Sequence, residues 1–233
     1  MTAFSLKDVD DFVYEKTGGV VQSGPFKGIR LLREQGWPSG ALSPAFLGCH
    51  EQELHGPIEE EIKRLKTLSS PHVANVGSGE GYYAVGLAKR LPHAKVWAID
   101  IADDCKRITA ATAALNQVDL IIDHKVDECF ESVDFVFMDC EGAERIYLDP
   151  EKYPALLKAT IIVEIHNDET WKNDLILVDR LLSKFHIVAY FEAGRNPNIF
   201  DFLVTQPSVF KWMAICENRP CSMGWFVMFP RTR

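Results

Sequence analysis

No apolar run in the 233-residue sequence approaches the roughly 18 residues a helix needs to span a bilayer. A membrane-embedded protein is therefore not expected. The opening stretch MTAFSLKDVDDF has acids where a signal peptide has a basic and then an apolar run, so no secretory leader is read there. None of the six cysteines (Cys49, Cys105, Cys129, Cys140, Cys216, Cys221) stands in C-x-x-C spacing. Cys216 and Cys221 with their distant histidines make no zinc pattern either. The expectation is a cytoplasmic chain with reduced thiols. Positive charge is also short, with 25 Lys and Arg against 33 Asp and Glu and a net charge of -8. That balance repels a polyphosphate backbone, so no nucleic-acid partner is expected. Internal repeats and low-complexity segments are missing too. What is present, 47% hydrophobic and 25% charged residues, suffices for one generous core or a core with a small cap.

The chain changes character near residue 57. Residues 1–56 hold Gly18-Gly19, Gly24-Pro25, Gly36 to Gly40 and Ser43-Pro44, dipeptides that punctuate turns. They predict a loop-rich N-terminal cap with short helices. From Pro57, the apolar Ile58, Ile62 and Leu65 fall at i, i+4 and i+7, one helix face ended by Ser69-Ser70-Pro71. Strands and helices then alternate. Strands are predicted at 72–76, 95–100, 120–122, 133–139, 160–166, 186–192 and 224–229, and helices at 80–91, 103–116 and 171–185. Residues 194–223 read as a long irregular stretch. This alternation predicts an α/β fold, a Rossmann-like three-layer sandwich with a mostly parallel seven-stranded sheet over 57–233.

The stretch Val73-Ala74-Asn75-Val76-Gly77-Ser78-Gly79-Glu80-Gly81-Tyr82 carries the most chemistry. A strand runs into glycines and a helix starts at once. Glycines let the backbone approach a ligand, and the free N–H groups of the helix start face it. A dinucleotide fingerprint G-x-G-x-x-G would put its last glycine at 82, where Tyr82 stands. The lysine of a P-loop is missing as well. A nicotinamide oxidoreductase is disfavoured on both counts. Asp100 ends the second strand, where its carboxylate can accept hydrogen bonds from both hydroxyls of a ribose. Ile101 beside it suits one face of an adenine.

The glycine loop followed by Asp100 resembles motif I and the acidic loop of the class I S-adenosylmethionine-dependent methyltransferases. The resemblance implies S-adenosyl-L-methionine as cofactor, with Asn75, Gly77, Ser78, Gly79, Gly81, Tyr82, Asp100, Ile101 and Asp139 around it. Asn75 departs from the pattern, because the family often has an acid there. The segments VFMDCEGAE (residues 136–144) and IIVEIH (residues 161–166) resemble the FkbM-type branch of the class. That branch is associated mostly with O-methylation of small molecules and sugars. The resemblance covers about Asn75 to His166 and implies a seven-stranded sheet whose last strand is antiparallel.

Methyl transfer to a hydroxyl needs alignment of the acceptor and removal of its proton. His166, at the tip of the fifth strand, has an ordinary pKa near neutrality and is the candidate base. Its alternative is a histidine hydrogen-bonded near a strand end. Asp139 and Glu141 are candidates to orient the acceptor or balance the sulfonium. Glu144 reads as a helix N-terminal acid. Glu164 sits in an apolar strand and needs a partner: it belongs to the site or pairs with an unidentified base. Some small-molecule O-methyltransferases hold magnesium with an acid after strand four and an Asp-Asn pair after strand five. Here the residues are Asp139 and then Asn167-Asp168 in reversed order, so magnesium is not favoured and no metal ligand is assigned.

Two segments are candidates for the acceptor pocket. One holds His50, Glu51 and Glu53. The other is Gly194–Met223, in which Arg195 is either an anion site or, slightly favoured, a solvated loop arginine. Phe200, Phe202, Phe210 and Trp212 there read as ordinary core. The expected activity is methyl transfer to a hydroxyl of a small molecule, a sugar or natural-product intermediate. Its rivals are an N- or carboxyl-methyltransferase of the same fold and a non-catalytic S-adenosylmethionine-binding protein.

Overall fold

The computed structural model describes residues 4–36, 41–123, 125–167, 172–219 and 223–231. It opens with α1 (Leu6–Thr17). Ser5 accepts from the Asp8 N–H at 3.1 Å while Asp8 accepts from the Ser5 N–H at 2.8 Å, a reciprocal capping box. Gly18, with φ of 61°, closes the helix. After α2 (Ser43–Leu47), a tight turn at Gln52–Leu54 runs straight into α3 (His55–Leu65). Ile58, Ile62 and Leu65 form its buried face, as their spacing predicts, and the helix starts two residues before Pro57.

The alternating part runs β1 (His72–Val76), α4 (Tyr82–Arg90), β2 (Lys95–Ile99), α5 (Asp103–Asn116), β3 (Ile121–Asp123), β4 (Phe135–Met138), α6 (Glu144–Tyr147) and β5 (Thr160–Ile165). It ends with α7 (Asn173–Leu181), β6 (Phe185–Phe191), α8 (Asp201–Val204), α9 (Ser208–Ile215) and β7 (Gly224–Pro230). The seven strands form one sheet in the order β3-β2-β1-β4-β5-β7-β6. The pairs from β3 through β5 are parallel, and β7 runs antiparallel to both β5 and β6. This is the Rossmann-like seven-stranded α/β sheet expected from the alternation.

The central strands are buried on both faces, which is why they read as nearly unbroken apolar runs. Val73, Phe135 and Ile162 point to one face and Ala74, Val136 and Ile161 to the other. The first face is covered by Val9, Phe46, Ile62, Leu87 and Phe210, so N-terminal residues and the core helices share one hydrophobic cluster. The second is covered by Phe130, Leu177 and Leu181, among others.

Three expectations change. The first core helix starts at Tyr82 rather than 80, because Gly81 takes a φ of 88° as its cap. The described residues of the stretch 194–223 are not all irregular: they hold a tight turn at Pro197–Ile199, then α8 and α9. Its prolines and the nearly all-round apolar SVFKWMAI hid the helical period. The predicted helix over 171–185 is Asn173–Leu181, and Trp171 lies outside the described residues.

Phe26 is one of the N-terminal segment's contacts with α4. It is buried and sits edge-on to Tyr82 and Tyr83, with ring centroids 5.3 and 5.8 Å away. A Cβ at Gly86 would lie 2.4 Å from the Phe26 ring. Gly86→Ala is therefore expected to lose about 1–3 kcal/mol through overpacking, although alanine is the better helix former. Urea unfolding checks this, and Phe26→Leu in the same chain should recover part of the loss. Equal stability of Gly86→Ala and the parent would refute the contact.

Candidate functional site

The parallel strands end at one edge of the sheet. The order reverses between β1 and β4, the place where ligands bind in open α/β sheets. A cavity of about 930 Å³ opens there, in the size range of small-molecule and cofactor sites.

Its first wall is the glycine loop. Gly77, Gly79 and Gly81 have φ of 79°, 51° and 88°, the left-handed region open to glycine. Gly77 also has no room for a side chain, since a Cβ would lie 1.5 Å from the Asp139 carbonyl oxygen. The Gly77 and Ser78 N–H groups both donate to Ile99 O, at 2.8 and 3.1 Å. Asp100 accepts from the Gly79 N–H at 3.0 Å through one oxygen and from the Ala102 N–H at 2.9 Å through the other. It thus ties the loop to the end of β2, and each oxygen keeps a further acceptor position. Ile101, 82% exposed, lies beside it as an open apolar shelf.

Gly77, Gly79, Tyr82, Asp100, Ile101 and Asp139 line the cavity, together with Glu141 and His166. Three predicted cofactor residues stand behind the wall instead. The Asn75 side chain turns into the sheet, its amide 3.4 Å from Phe137 O. Ser78 is buried, and Gly81 packs on Thr109. The strand's twofold alternation accounts for Asn75, because the neighbouring Val76 is the one that reaches the cavity.

The second wall holds His166. Its Nδ1 lies 2.6 Å from Glu144 Oε1. Glu144 is fully buried and also accepts from the Gly142 N–H at 3.1 Å and from Asn173 Nδ2 at 2.9 Å. The reading of Glu144 as a plain helix-end acid is thus incomplete: it takes one backbone N–H and fixes the imidazole. A carboxylate on Nδ1 sets the tautomer, with the proton there and the Nε2 lone pair left for the cavity. Nε2 lies 3.5 Å from Asp139 and 3.6 Å from Glu141. Burial alone would lower the His166 pKa, but the Glu144 hydrogen bond and the charges of Asp139, Glu144 and Glu141 raise it above its ordinary value. Burial and the charge of Glu51 push Asp139 up to about 7.

The third wall is a buried charge network. Arg219 pairs with Glu51 at 2.7 Å, with Glu217 at 2.7 Å and with Glu164, and it lies over the Trp225 ring at 5.0 Å. Glu164 is therefore both in the site and paired, and Arg219 is the base its strand position demands. Burial and the charges of Glu51 and Asp139 still raise the Glu164 pKa, against the pull of Arg219. Tyr83 donates its hydroxyl to Glu51. Of the N-terminal candidates, His50 and Glu51 line the cavity and Glu53 does not. Glu53 pairs with Arg195 at 3.1 Å. Arg195 corrects the favoured reading of a solvated loop arginine: it is 9% exposed, also pairs with Glu217 and donates to Cys49 O at 2.8 Å. It serves no anion in the cavity, which it does not line. Phe200 and Phe210 are core as expected, whereas Trp212 is more than half exposed.

Asp139, Glu164 and His166 each bring a ligand atom within 4.8 Å of the others. They do not fit magnesium, which wants a near-ideal octahedron of oxygens, whereas this set includes an imidazole nitrogen and a carboxylate turned to Arg219. Asp168 of the predicted magnesium set lies outside the described residues. The cysteines Cys49, Cys105, Cys129, Cys140 and Cys216 are all free. Among the described residues no helix is long and apolar enough to cross a membrane.

No family model matches the sequence. Over 69 residues the chain is 36% identical to the release factor glutamine methyltransferase of Flavobacterium psychrophilum, covering 30% of this chain and 24% of that protein. The chain thus matches about a quarter of that relative's length. Among solved structures it is similar to a Klebsiella pneumoniae protein provisionally described as an O-methyltransferase. The TM-score is 0.49 at 12% identity, over 99% of this chain and 91% of the other. It is also similar to an O-methyltransferase from Bacillus cereus solved with SAH, with a TM-score of 0.47 at 12% identity over 73% and 80% of the two chains. The seven-stranded sheet with its reversed β7 is the one that the resemblance to the class I S-adenosylmethionine-dependent methyltransferases implies.

Proposed function

We propose that the chain binds S-adenosylmethionine and transfers its methyl group to a hydroxyl of a small molecule, in the manner of the FkbM-type branch that its DCEGAE and EIH segments resemble. The observation that carries this reading is that one cavity joins the glycine loop and Asp100 to an imidazole whose Nδ1 is fixed by a buried carboxylate and whose Nε2 stands 3.5 Å from Asp139 and 3.6 Å from Glu141. In it, Asp100 binds the ribose hydroxyls and Ile101 covers the adenine. The backbone of Gly77 and Gly79 admits the ligand close to the sheet edge. Asp139 lies between this half and His166.

S-adenosylmethionine supplies an activated methyl on a sulfonium sulfur. His166 Nε2 takes the hydroxyl proton while the acceptor oxygen bonds to the methyl carbon, the carbon–sulfur bond breaks, and the sulfur leaves with its electron pair. His166 ends protonated, a form that Glu144, Asp139 and Glu141 stabilise. Positioning of the two reactants supplies much of the rate in such a displacement, and the base adds about 10²–10⁴-fold.

Titration calorimetry with S-adenosylmethionine tests the first half. The wild type should bind, and Asp100→Ala should weaken binding by roughly a hundredfold or more for a lost pair of charged hydrogen bonds, each about 1.5–3 kcal/mol. Asp100 also ties the loop, so thermal unfolding is read alongside. Unchanged affinity in Asp100→Ala would overturn the cofactor assignment.

A further inference from the structure

The cavity is acidic where the acceptor must sit. Arg219 is the one Lys or Arg among the described lining residues, and it is shared among Glu51, Glu164 and Glu217. Asp139 and Glu141 add two more carboxylates on the wall. Among the described residues, an anionic acceptor would meet no unshared lysine or arginine there. Two carboxylate oxygens moreover accept no hydrogen bond among the described residues: Glu164 Oε2, on a residue 2% exposed, and Asp139 Oδ1, which lies 3.5 Å from His166 Nε2. Buried acceptors without donors are costly, so a ligand that brings N–H donors and positive charge suits them. Both carboxylates lie within 4.8 Å of the His166 ligand atom. The group they hold and the group His166 deprotonates must therefore be neighbours on the same small molecule. Trp225 and Phe226 give the cavity an apolar side beside them.

We propose that the acceptor is a vicinal amino alcohol, its protonated amine held by Asp139 and Glu164 and its adjacent hydroxyl presented to His166. The proposal rests on the methyltransferase reading and names its substrate class. The methyl carbon leaves sulfur for the hydroxyl oxygen, the hydroxyl proton goes to His166 Nε2, and the ammonium keeps its protons throughout. Glu164 and Asp139 are then specificity residues, and the charge they share selects against neutral diols and hydroxy acids. The cofactor carries an ammonium of its own, so selectivity is read with the cofactor in place.

The test measures labelled methyl transfer from S-adenosylmethionine at neutral pH to matched acceptors. One set is 2-amino-1-phenylethanol, 1-phenyl-1,2-ethanediol and mandelic acid; a second is glucosamine against glucose. The amine member of at least one set should exceed its neutral partner at least about tenfold in kcat/KM, the equivalent of about 1.4 kcal/mol, and the acid should be poorest. Glu164→Gln should bring amine and neutral members to near parity by raising KM for the amine. Because Glu164 also pairs with Arg219, Asp139→Asn is the second variant and should shift the ratio in the same direction. Equal transfer to amine and diol, preference for the acid, or no transfer to any amine member while calorimetry shows cofactor binding would overturn the acceptor class alone. Absence of cofactor binding would overturn the underlying reading with it.

Discussion

Gly77→Ala should abolish measurable S-adenosylmethionine binding and destabilise the fold. Two costs combine at this one position. A φ of 79° belongs to the left-handed region, where an L-residue costs about 1–2 kcal/mol. The new Cβ would also lie 1.5 Å from the Asp139 carbonyl oxygen, so backbone must move. That displacement adds an overpacking cost of about 1–3 kcal/mol. The ends of β1 and β4 would part at the point where the Asp139 N–H donates to Val76 O at 2.8 Å. Gly79→Ala is the control within the same loop. Gly79 has φ of 51° and open space around its would-be Cβ, so it should lose only about 1–2 kcal/mol. Urea unfolding separates the two variants, and titration calorimetry reads the binding. A Gly77→Ala protein with parental stability and affinity would refute the close approach of the two strand ends, and with it the account of the loop as a cradle.

The contrast between Gly77 and Gly79 shows how far the amino-acid sequence reaches. The loop and Asp100 were legible because a single βαβ unit joins them, so local spacing carries the chemistry. The strands were legible because burial on both faces makes them apolar throughout. Their ends were less so: β4 stops at Met138, one residue before Asp139, which already belongs to the cavity. Glu164 announced a missing partner simply by standing in an apolar strand. Which base it takes was not legible, since Arg219 lies 55 residues further on in a segment with no local pattern. The same holds for Glu144. Its helix-start position is a local signal, whereas its role on His166 needs β4, β5 and α7 brought together, with Asn173 closing the group. Arg195 misled for the converse reason. A loop arginine next to glycine reads as solvated, and only the folded chain brings Glu53 and Glu217 around it.

That fixed imidazole makes the second large effect. His166→Ala should lower kcat by about 10²–10⁴-fold, the usual contribution of a positioned base, while the affinity for S-adenosylmethionine stays within a few-fold. Glu144→Gln is the sharper variant, because Glu144 reaches the reaction only through His166. The base must be neutral to accept a proton, so kcat should rise with pH through the His166 pKa. In the parent that midpoint lies above the ordinary histidine value, because the Glu144 hydrogen bond and the surrounding carboxylates outweigh burial. Glu144→Gln removes the strongest of the raising influences, so the midpoint should move to lower pH and the plateau should fall. The linkage to stability has the opposite sense. A raised folded-state pKa means that the protonated imidazole stabilises the fold below about pH 6.5, and that this contribution is lost as pH rises through the folded value. Glu144→Gln should therefore flatten the parental fall in stability with rising pH above the ordinary histidine pKa. A merely structural Glu144 would lower stability at every pH and leave the kcat midpoint in place. A pH–rate profile unchanged in Glu144→Gln, or full activity in His166→Ala, would remove the base from the mechanism and favour an acceptor that needs none, such as a neutral amine or a carboxylate.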